Sequence, residues 1–408
     1  MIVFELICKL QPKLNDTQGH RIMTNNSDRY LMAAMLLCLS VLQVDAQAKD
    51  DATHYGMDDF YRVPKIDTHM HLHSTLPTFM LEAQRDNFRV LSINVDNPDR
   101  PSIDEQQRIS EVLLQKYPDT FAFAATFSVS NYDQPGWQES VIKRIDTAVS
   151  HGAVAVKVWK NIGMSLRAAN GAMVMIDDPH FKPVFDHLEK IHLPVLGHQG
   201  EPKNCWLPPA QMTVKGDREY FEAHPQYYMY LHPDMPSYED QIRARDHMLD
   251  QHKNLQFAAL HLASLEWSVE ALAQFLDLYP NTVVDLASRI AHLQAQANQN
   301  SDTVRNFLIK YQDRIMYGTD SEQAADMGKT GIDQKAADNF SKETLETWRQ
   351  DWRFFNTTDI MHVPDLDQPV KGLALPKSVV DKIYHGNAER FFPAAWGKRK
   401  AGNQAAVK

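Results

Sequence analysis

Two histidines stand two positions apart in the segment IDTHMH at 66–71, which has the length and residue types of a short strand. Alternate residues of a strand point to the same face, about 7 Å apart, so His69 and His71 can bind one metal ion together. A lone His-x-His pair is a weak signal, because histidine also occurs as a hydrogen-bonded core residue. The pair therefore indicates a metal site only if further ligands approach it.

Three further candidates stand where short apolar runs end: His198 closes PVLGH, His261 closes AALH, and Asp320 closes YGTD. If these runs are parallel strands, their ends meet at one rim. Imidazole and carboxylate donors suit Zn²⁺ and also Mn²⁺, Fe²⁺ or Co²⁺, and a catalytic site keeps one coordination position open. Three histidines and one aspartate can coordinate one divalent ion. Whether His261 is a ligand or a catalytic residue stays open.

The elements that must position these residues are short β-branched runs alternating with helical patterns, which predicts parallel strands joined by crossover helices. The runs are 65–71, 90–95, 121–127, 153–159, 194–198, 256–261, 282–286 and 314–318, and the clearest helical stretches are 139–150, 181–191, 238–252, 269–279 and 302–311. Eight such units predict an α/β fold, a (β/α)8 TIM barrel. A doubly wound sheet is the alternative.

Two segments are too long for simple loops: about 40 residues after His198 and about 55 after Asp320. Both follow predicted strand ends, the fifth and the eighth, where a barrel carries its active site. We expect these insertions to form walls or lids over the pocket.

Two further side chains belong to the same predicted rim. In VAVKVW at 154–159 the valines share one face, so Lys157 and Trp159 point the other way, into the barrel, as candidates for substrate binding. Arg289, near the seventh strand, is a third candidate because a guanidinium pairs bidentately with a carboxylate. An Arg289–Asp285 structural pair is the alternative.

The N-terminal region contains an apolar run at 31–42, preceded by Arg29 and followed by the small-x-small triplet at 46–48. This pattern predicts a signal peptide at 1–48, cleaved before Lys49, and export to the periplasm or the extracellular space. A buried core helix is the alternative. The predicted mature chain then consists of the barrel domain at 49–397 and a basic tail at 398–408.

The net charge limits the classes of partner that the chain can bind, and the cysteine count decides whether it can form a disulfide. The net charge is −10, and removal of residues 1–48 leaves it unchanged because four basic and four acidic residues are lost. An acidic chain without a basic stripe is a poor partner for nucleic acid or an anionic membrane, so small molecules are expected. Only Cys205 survives cleavage, which excludes an internal disulfide. The sequence leaves open whether the protein forms a homo-oligomer.

The segment from about 64 to 392 resembles the amidohydrolase-related family, also called amidohydrolase 2. The resemblance rests on IDTHMH, on His198 and His261, and on RIMYGTD at 314–320 and GNAERFF at 386–392. It implies that the histidine pair of the first strand, the fifth-strand histidine and the eighth-strand aspartate hold the metal. His69, His71, His198 and Asp320 would then be ligands, and His261 would do acid/base work.

The resemblance and the chemistry of such a site together predict hydrolysis of an ester, lactone or amide by metal-activated water. A bound cation lowers the pKa of water from about 16 toward 7 and polarises a carbonyl. Asp320 would take the proton of the water, and His261 would stabilise the oxyanion or protonate the leaving group.

Two alternatives come from the same family. Its non-oxidative decarboxylases of unsaturated or aromatic acids are lyases, but many replace the first histidine of the pair with glutamate, whereas His69 is present here. Its binuclear members use a carbamylated fourth-strand lysine to bridge two metals, a role that Lys157 permits without requiring. We favour a hydrolase with one metal ion, and among the candidate metals we favour zinc. A non-catalytic binding protein would be expected to lack a ligand, and all are present.

Overall fold

A parallel sheet with nine strands forms the centre of the computed structural model, which describes residues 54–323 and 333–397. Its strands are β1 (Lys65–His71), β2 (Phe88–Ile93), β3 (Phe121–Thr126), β4 (Ala155–Val158), β5 (Val195–Gly197), β6 (Phe257–Ala259), β7 (Thr282–Asp285), β8 (Ile315–Met316) and β9 (Ser321–Glu322). The strand order is β8-β7-β6-β5-β4-β3-β2-β1-β9. The predicted signal peptide and basic tail lie outside the described residues.

The sheet closes through the chain segment that carries β8 and β9. β8 pairs with β7, whereas β9, a few residues on, pairs with β1. Between them, the Thr68 amide donates to the Tyr317 carbonyl at 3.0 Å and the Asp320 amide donates to the His69 carbonyl at 2.7 Å. The eighth barrel strand is therefore interrupted around Asp320, whose φ of +65° is left-handed. The predicted TIM barrel is confirmed.

The described residues form eleven α-helices of five residues or more, most of which cover the outside of the barrel. They are α1 (Pro77–Arg85), α2 (Ile103–Lys116), α3 (Trp137–Ser150), α4 (Lys182–Lys190), α5 (Lys215–Ala223), α6 (Tyr238–Gln251), α7 (Val269–Leu278), α8 (Ile290–Lys310), α9 (Gln334–Asn356), α10 (Lys377–Asp381) and α11 (Asn387–Phe391). Serine or aspartate side chains cap several N-termini; Ser237, for example, forms a capping box with Asp240 at the start of α6. Within the described residues, no helix is long and apolar enough to span a membrane.

The apolar core has two layers. One lies between sheet and helices and includes Val90 and Val156, while the other fills the barrel and includes Leu91 and Leu196. The inner layer continues into Ala388, Phe392, Ala395 and Trp396, which close the N-terminal end of the barrel. The opposite, C-terminal end is therefore the one left for chemistry.

The eight predicted runs all contain strands, but one helix differs from the prediction. α8 begins at Ile290 rather than 302, because Ile290, Leu293 and Ala297 form a buried face at helical spacing. Its regular geometry breaks at Asn300, with φ −155° and ψ 96°. The break separates the predicted half of the helix from the unpredicted half.

The two long segments have different structures. Residues 199–237 contain α5 and four 3-10 turns around a small core of their own, formed by Cys205, Met212, Phe221, Tyr228 and Met229. The segment after Asp320 contains β9, the long helix α9 and a hairpin of β10 (Ile360–Met361) and β11 (Val370–Lys371).

Candidate metal centre and active site

Neighbouring acceptor atoms determine which ring nitrogen carries the proton in each of the two histidines at the end of β1. His71 Nδ1 lies 2.7 Å from the Ile93 carbonyl oxygen, and because a carbonyl only accepts, Nδ1 carries the proton. His69 Nδ1 donates in the same way to Asp285 Oδ2 at 2.7 Å. In the neutral rings, both Nε2 atoms are therefore lone-pair acceptors.

Those two lone pairs face a carboxylate. Asp320 Oδ1 lies 3.3 Å from His69 Nε2 and 3.2 Å from His71 Nε2. Three electron-rich atoms thus converge on one point.

A cation fits this arrangement better than hydrogen bonds do. Two ligands of a tetrahedral Zn²⁺, each about 2.0–2.1 Å from the ion, lie about 3.3 Å apart, close to the separations from Asp320. His69 Nε2 is buried and has no hydrogen-bond partner among the described residues. His69, His71 and Asp320 are therefore a candidate metal-binding group.

His261 and His198 lie beside this group. His261 Nδ1 donates to the Ala287 carbonyl at 2.9 Å, so its Nε2 is free to accept, and that Nε2 is 3.1 Å from His198 Nδ1. The rings of His69 and His261 have centroids 4.8 Å apart. Burial holds the pKa of both His198 and His261 well below the usual range, so both rings are neutral. His198 Nε2 is buried without a hydrogen-bond partner among the described residues.

A left-handed turn directs His261 into the site. Residues His261, Leu262, Ala263 and Ser264 have φ of 56°, 55°, 59° and 53°, although none is glycine. This conformation costs L-residues roughly 1–2 kcal/mol each. Such strain concentrates at functional sites, where packing holds it in place.

Glycines allow the strand ends to approach one another. A Cβ added at Gly197, just before His198, would lie 2.1 Å from the Phe257 ring. One added at Gly318 would lie 3.0 Å from the Cβ of His69. A side chain at position 197 would therefore displace Phe257, and one at position 318 would press on the backbone and Cβ of His69.

The three predicted substrate-binding residues occupy different places. Lys157 is 1% exposed, its Nζ has no hydrogen-bond partner among the described residues, and burial lowers its pKa to about 8. Arg289 is 8% exposed, donates from Nη1 to the Ser288 carbonyl at 2.8 Å and has a buried Nε without a hydrogen-bond partner in the described ranges. Trp159 lines a second cavity, whose lining includes neither Lys157 nor Arg289.

A cavity of about 640 Å³ opens above the strand ends. Its lining includes His198, Ser288, Arg289, His292 and Asp320, together with Tyr220 from α5. The volume is that of a site for a small molecule. The cavity thus connects the candidate metal group to the predicted cationic side chain Arg289.

Two residues that sequence reasoning did not assign complete the site. Asp285 accepts from His69 Nδ1 at 2.7 Å and from the His261 amide at 2.6 Å, so it orients a predicted ligand and the predicted catalyst rather than Arg289. Ser288 donates to Asp320 Oδ2 at 3.0 Å. The position of Asp285 at the end of β7 was the available signal.

A parallel barrel with histidines and aspartates gathered at the C-terminal ends of its strands defines a class of metal-dependent enzymes that act on small molecules. Residues 66–394 match the family model described as amidohydrolase, and the chain therefore belongs to the amidohydrolase family. The resemblance seen in the sequence is confirmed.

Solved structures with a similar fold include three bacterial proteins. They are an uncharacterised TIM-barrel protein from Bordetella bronchiseptica (13% identity, 81% of this chain and 99% of that chain, TM-score 0.46), a 2,6-dihydroxybenzoate decarboxylase from Rhizobium (15%, 81% and 99%, 0.45) and a 4-oxalomesaconate hydratase from Rhodopseudomonas palustris (14%, 81% and 96%, 0.40). At this level of similarity they carry no argument about the reaction. No curated protein matches the chain.

Proposed function

We propose that this protein is a metal-dependent hydrolase that cleaves an ester, lactone or amide bond of a small molecule. The observation that carries the proposal is that two lone-pair atoms, His69 Nε2 and His71 Nε2, each face Asp320 Oδ1, at 3.3 and 3.2 Å. The tautomers are set by Ile93 and Asp285, so these atoms point at a common centre without protons between them.

The metal would be held by His69, His71 and Asp320, which lie together, and by His198, whose buried Nε2 has no hydrogen-bond partner among the described residues. A bound divalent ion supplies two things in such a site, a lowered pKa for water and polarisation of a carbonyl. Zinc suits this mixed set of imidazole and carboxylate donors, and Mn²⁺, Fe²⁺ and Co²⁺ accept the same donors.

The protein's own side chains would move the protons. Asp320 receives a hydrogen bond from Ser288 on Oδ2, which holds its carboxylate where it would accept a proton. His261 is held by Asp285 and by Ala287, and its neutral Nε2 would first accept the proton that Asp320 takes from water and then give it to the leaving group. Arg289, which lines the cavity, would bind a substrate carboxylate.

A decarboxylase is the second candidate, and the cationic side chains favour it. Arg289 lines the cavity, and the Lys157 Nζ is buried without a hydrogen-bond partner in the described ranges. A substrate carboxylate held by such groups is required by a decarboxylase but is optional for a hydrolase. Release of CO₂ from an unsaturated or aromatic acid, without hydrolysis of its esters or lactones, would replace the first proposal by this one.

The test is elemental analysis of the purified mature protein. We expect about one transition metal ion per chain. About two would indicate that a carbamylated Lys157 bridges two metal ions. The variants His69→Ala and Asp320→Asn should lose most of the metal and the activity. Variants of exposed counterparts, His151→Ala and Asp313→Asn, should keep both. Full metal content and activity in the first pair would show that the ligand assignment is wrong.

Export is a further part of the proposal. It is supported by the leader pattern at 1–48. N-terminal sequencing of the protein from the periplasm or medium should begin at Lys49. A purified native chain that begins at Met1 would refute cleavage.

A further inference from the structure

A second cavity of about 1340 Å³ lies next to the one above the metal group. The two cavities share Lys160, Glu201 and Tyr220 as lining residues. They are therefore neighbouring chambers with one wall between them, which we call the inner and the outer cavity.

The wall is built from loops that follow two barrel strands. Lys160 stands two residues after β4, and Glu201 stands four residues after β5. Their side chains form an ion pair and are 26% and 12% exposed. The third member, Tyr220, belongs to α5 and is 47% exposed, which is unusual for so large an aromatic residue.

Aromatic and thioether side chains line one side of the outer cavity. They include Trp159, Met164, Tyr220, Tyr227 and Met229. The rings of Tyr220 and His224 are stacked with centroids 4.4 Å apart, and His224 in turn stacks on Tyr227 at 6.3 Å. Tyr220 and Tyr227 line the cavity and are 47% and 42% exposed, so their rings offer an apolar surface to a ligand that enters.

Ligands of flat apolar shape fit such a surface. Aromatic rings prefer offset-stacked or edge-to-face contacts with other rings, and methionine adapts its shape around them. A small substrate that fills the inner cavity would leave the larger outer cavity unused. A substrate with a second, aromatic part would use both.

We infer that the outer cavity binds an aromatic group of the substrate, whose reacting part lies in the inner cavity. The substrate class is thus a two-part molecule, with a hydrolysable or carboxylate-bearing head and a flat aryl portion that extends past Lys160 and Glu201. This inference rests on the proposed function for the identity of the head. The aryl subsite itself depends only on the outer cavity.

The experiment measures binding by calorimetry, with no turnover required. The probes are benzoate and 4-biphenylcarboxylate, which share a carboxylate head and differ by one ring. The wild-type metal-loaded protein should bind the biphenyl acid more tightly. Tyr227→Ala should weaken that binding roughly 3- to 10-fold, as loss of one ring contact predicts, and leave benzoate unchanged.

Tyr230→Ala is the matched control. Tyr230 is a 48% exposed tyrosine of the same segment and does not line the outer cavity, so both affinities should be unchanged. Equal affinity of the wild type for the two acids, failure of both to bind, or an equal effect of the two tyrosine variants would overturn the inference. Tight biphenyl binding with no hydrolysis of aryl esters would instead refute the proposed hydrolase and leave the subsite standing.

Discussion

Asp285 is the residue on which the geometry of the site depends most directly. Its two oxygens accept from two donors, His69 Nδ1 and the His261 backbone amide, and it is fully buried. It therefore fixes the tautomer of a predicted ligand and the position of the predicted catalyst at once. Such partners of metal ligands raise ligand basicity and hold the ring in orientation.

Asp285→Asn should weaken metal binding by roughly 10- to 100-fold, the usual cost of losing such a partner. An amide has one acceptor oxygen for two donors, so its NH₂ group must face either the His69 ring or the His261 amide. Facing His69, it would favour the tautomer with the proton on Nε2 and remove the ligand lone pair. The measurement is metal retention against a chelator of known affinity.

Asp359→Asn is the control for this experiment. Asp359 is a surface aspartate paired with Arg353, and its variant should retain metal like the wild type. Unchanged retention in Asp285→Asn would contradict the role given to that carboxylate.

At the residue scale, the sequence predicted the histidines and Asp320 because each ends an apolar run. It did not predict the role of Asp285, whose partner His69 lies 216 positions away in the chain. It placed Trp159 on the same inward face as Lys157 and did not predict that Trp159, one residue after β4, would line the outer cavity. Long-range pairing and loop direction are not encoded in local spacing.

At the scale of elements, α9 supports the metal group from behind. Trp348 stacks on Phe88 of β2, with ring centroids 3.8 Å apart, and donates from Nε1 to Asp67 Oδ2 at 2.9 Å. Asp67 in turn accepts from the amides of His69 and Thr319, both at 3.1 Å. The helix thus stabilises the turn that places Asp320 next to the histidines.

Trp348→Phe should lower activity, because it removes a donor to Asp67 while keeping an aromatic ring on Phe88. Trp352→Phe is the matched control: Trp352 is also 0% exposed on α9, but its Nε1 donates to the Gly56 carbonyl. Both variants should lose about 1–3 kcal/mol in the free energy of unfolding. Only Trp348→Phe should also reduce kcat, so equal kcat values for the two would exclude a positioning role.

The strands were predicted better than the helices of the long segments, for a physical reason. Buried parallel strands are continuous apolar runs such as FAFAAT of β3, which stand out from their surroundings. α9 has polar residues along most of its length and buries only one face, including Trp348 and Trp352. α9 also lines the cavity above the strand ends with Thr347, Gln350 and Asp351, and only its supporting position beneath the Asp320 turn was not part of the prediction of walls or lids.

At the scale of the whole molecule, buried carboxylates link folding stability to pH. Burial raises the pKa of Asp351 to about 7, and the charges of Asp67 and Asp365 act in the same direction. The Tyr317 hydroxyl donates to Asp351 Oδ2 at 2.8 Å and offsets only part of this. Unfolded, the same carboxyl has a pKa of about 3.9.

Asp351→Asn should remove one component of the pH dependence. Between pH about 4 and 7 the folded state holds a proton that the unfolded state releases, so the contribution of Asp351 is complete below that window and is lost as pH rises through it. The free energy of unfolding of the wild type should fall relative to the variant by up to roughly 1.4 kcal/mol per pH unit. Urea unfolding at pH 5, 6, 7 and 8 measures this, and a constant difference would refute it.

The left-handed turn at His261, Leu262, Ala263 and Ser264 also constrains which substitutions this protein can accept during evolution. Glycine would relieve the backbone strain there, so selection for heat resistance alone should favour glycine at the three positions after His261. The same change would loosen the segment that fixes the histidine ring. Stability and catalysis therefore select in opposite directions on these few positions, and a heat-stabilised descendant is expected to improve elsewhere first.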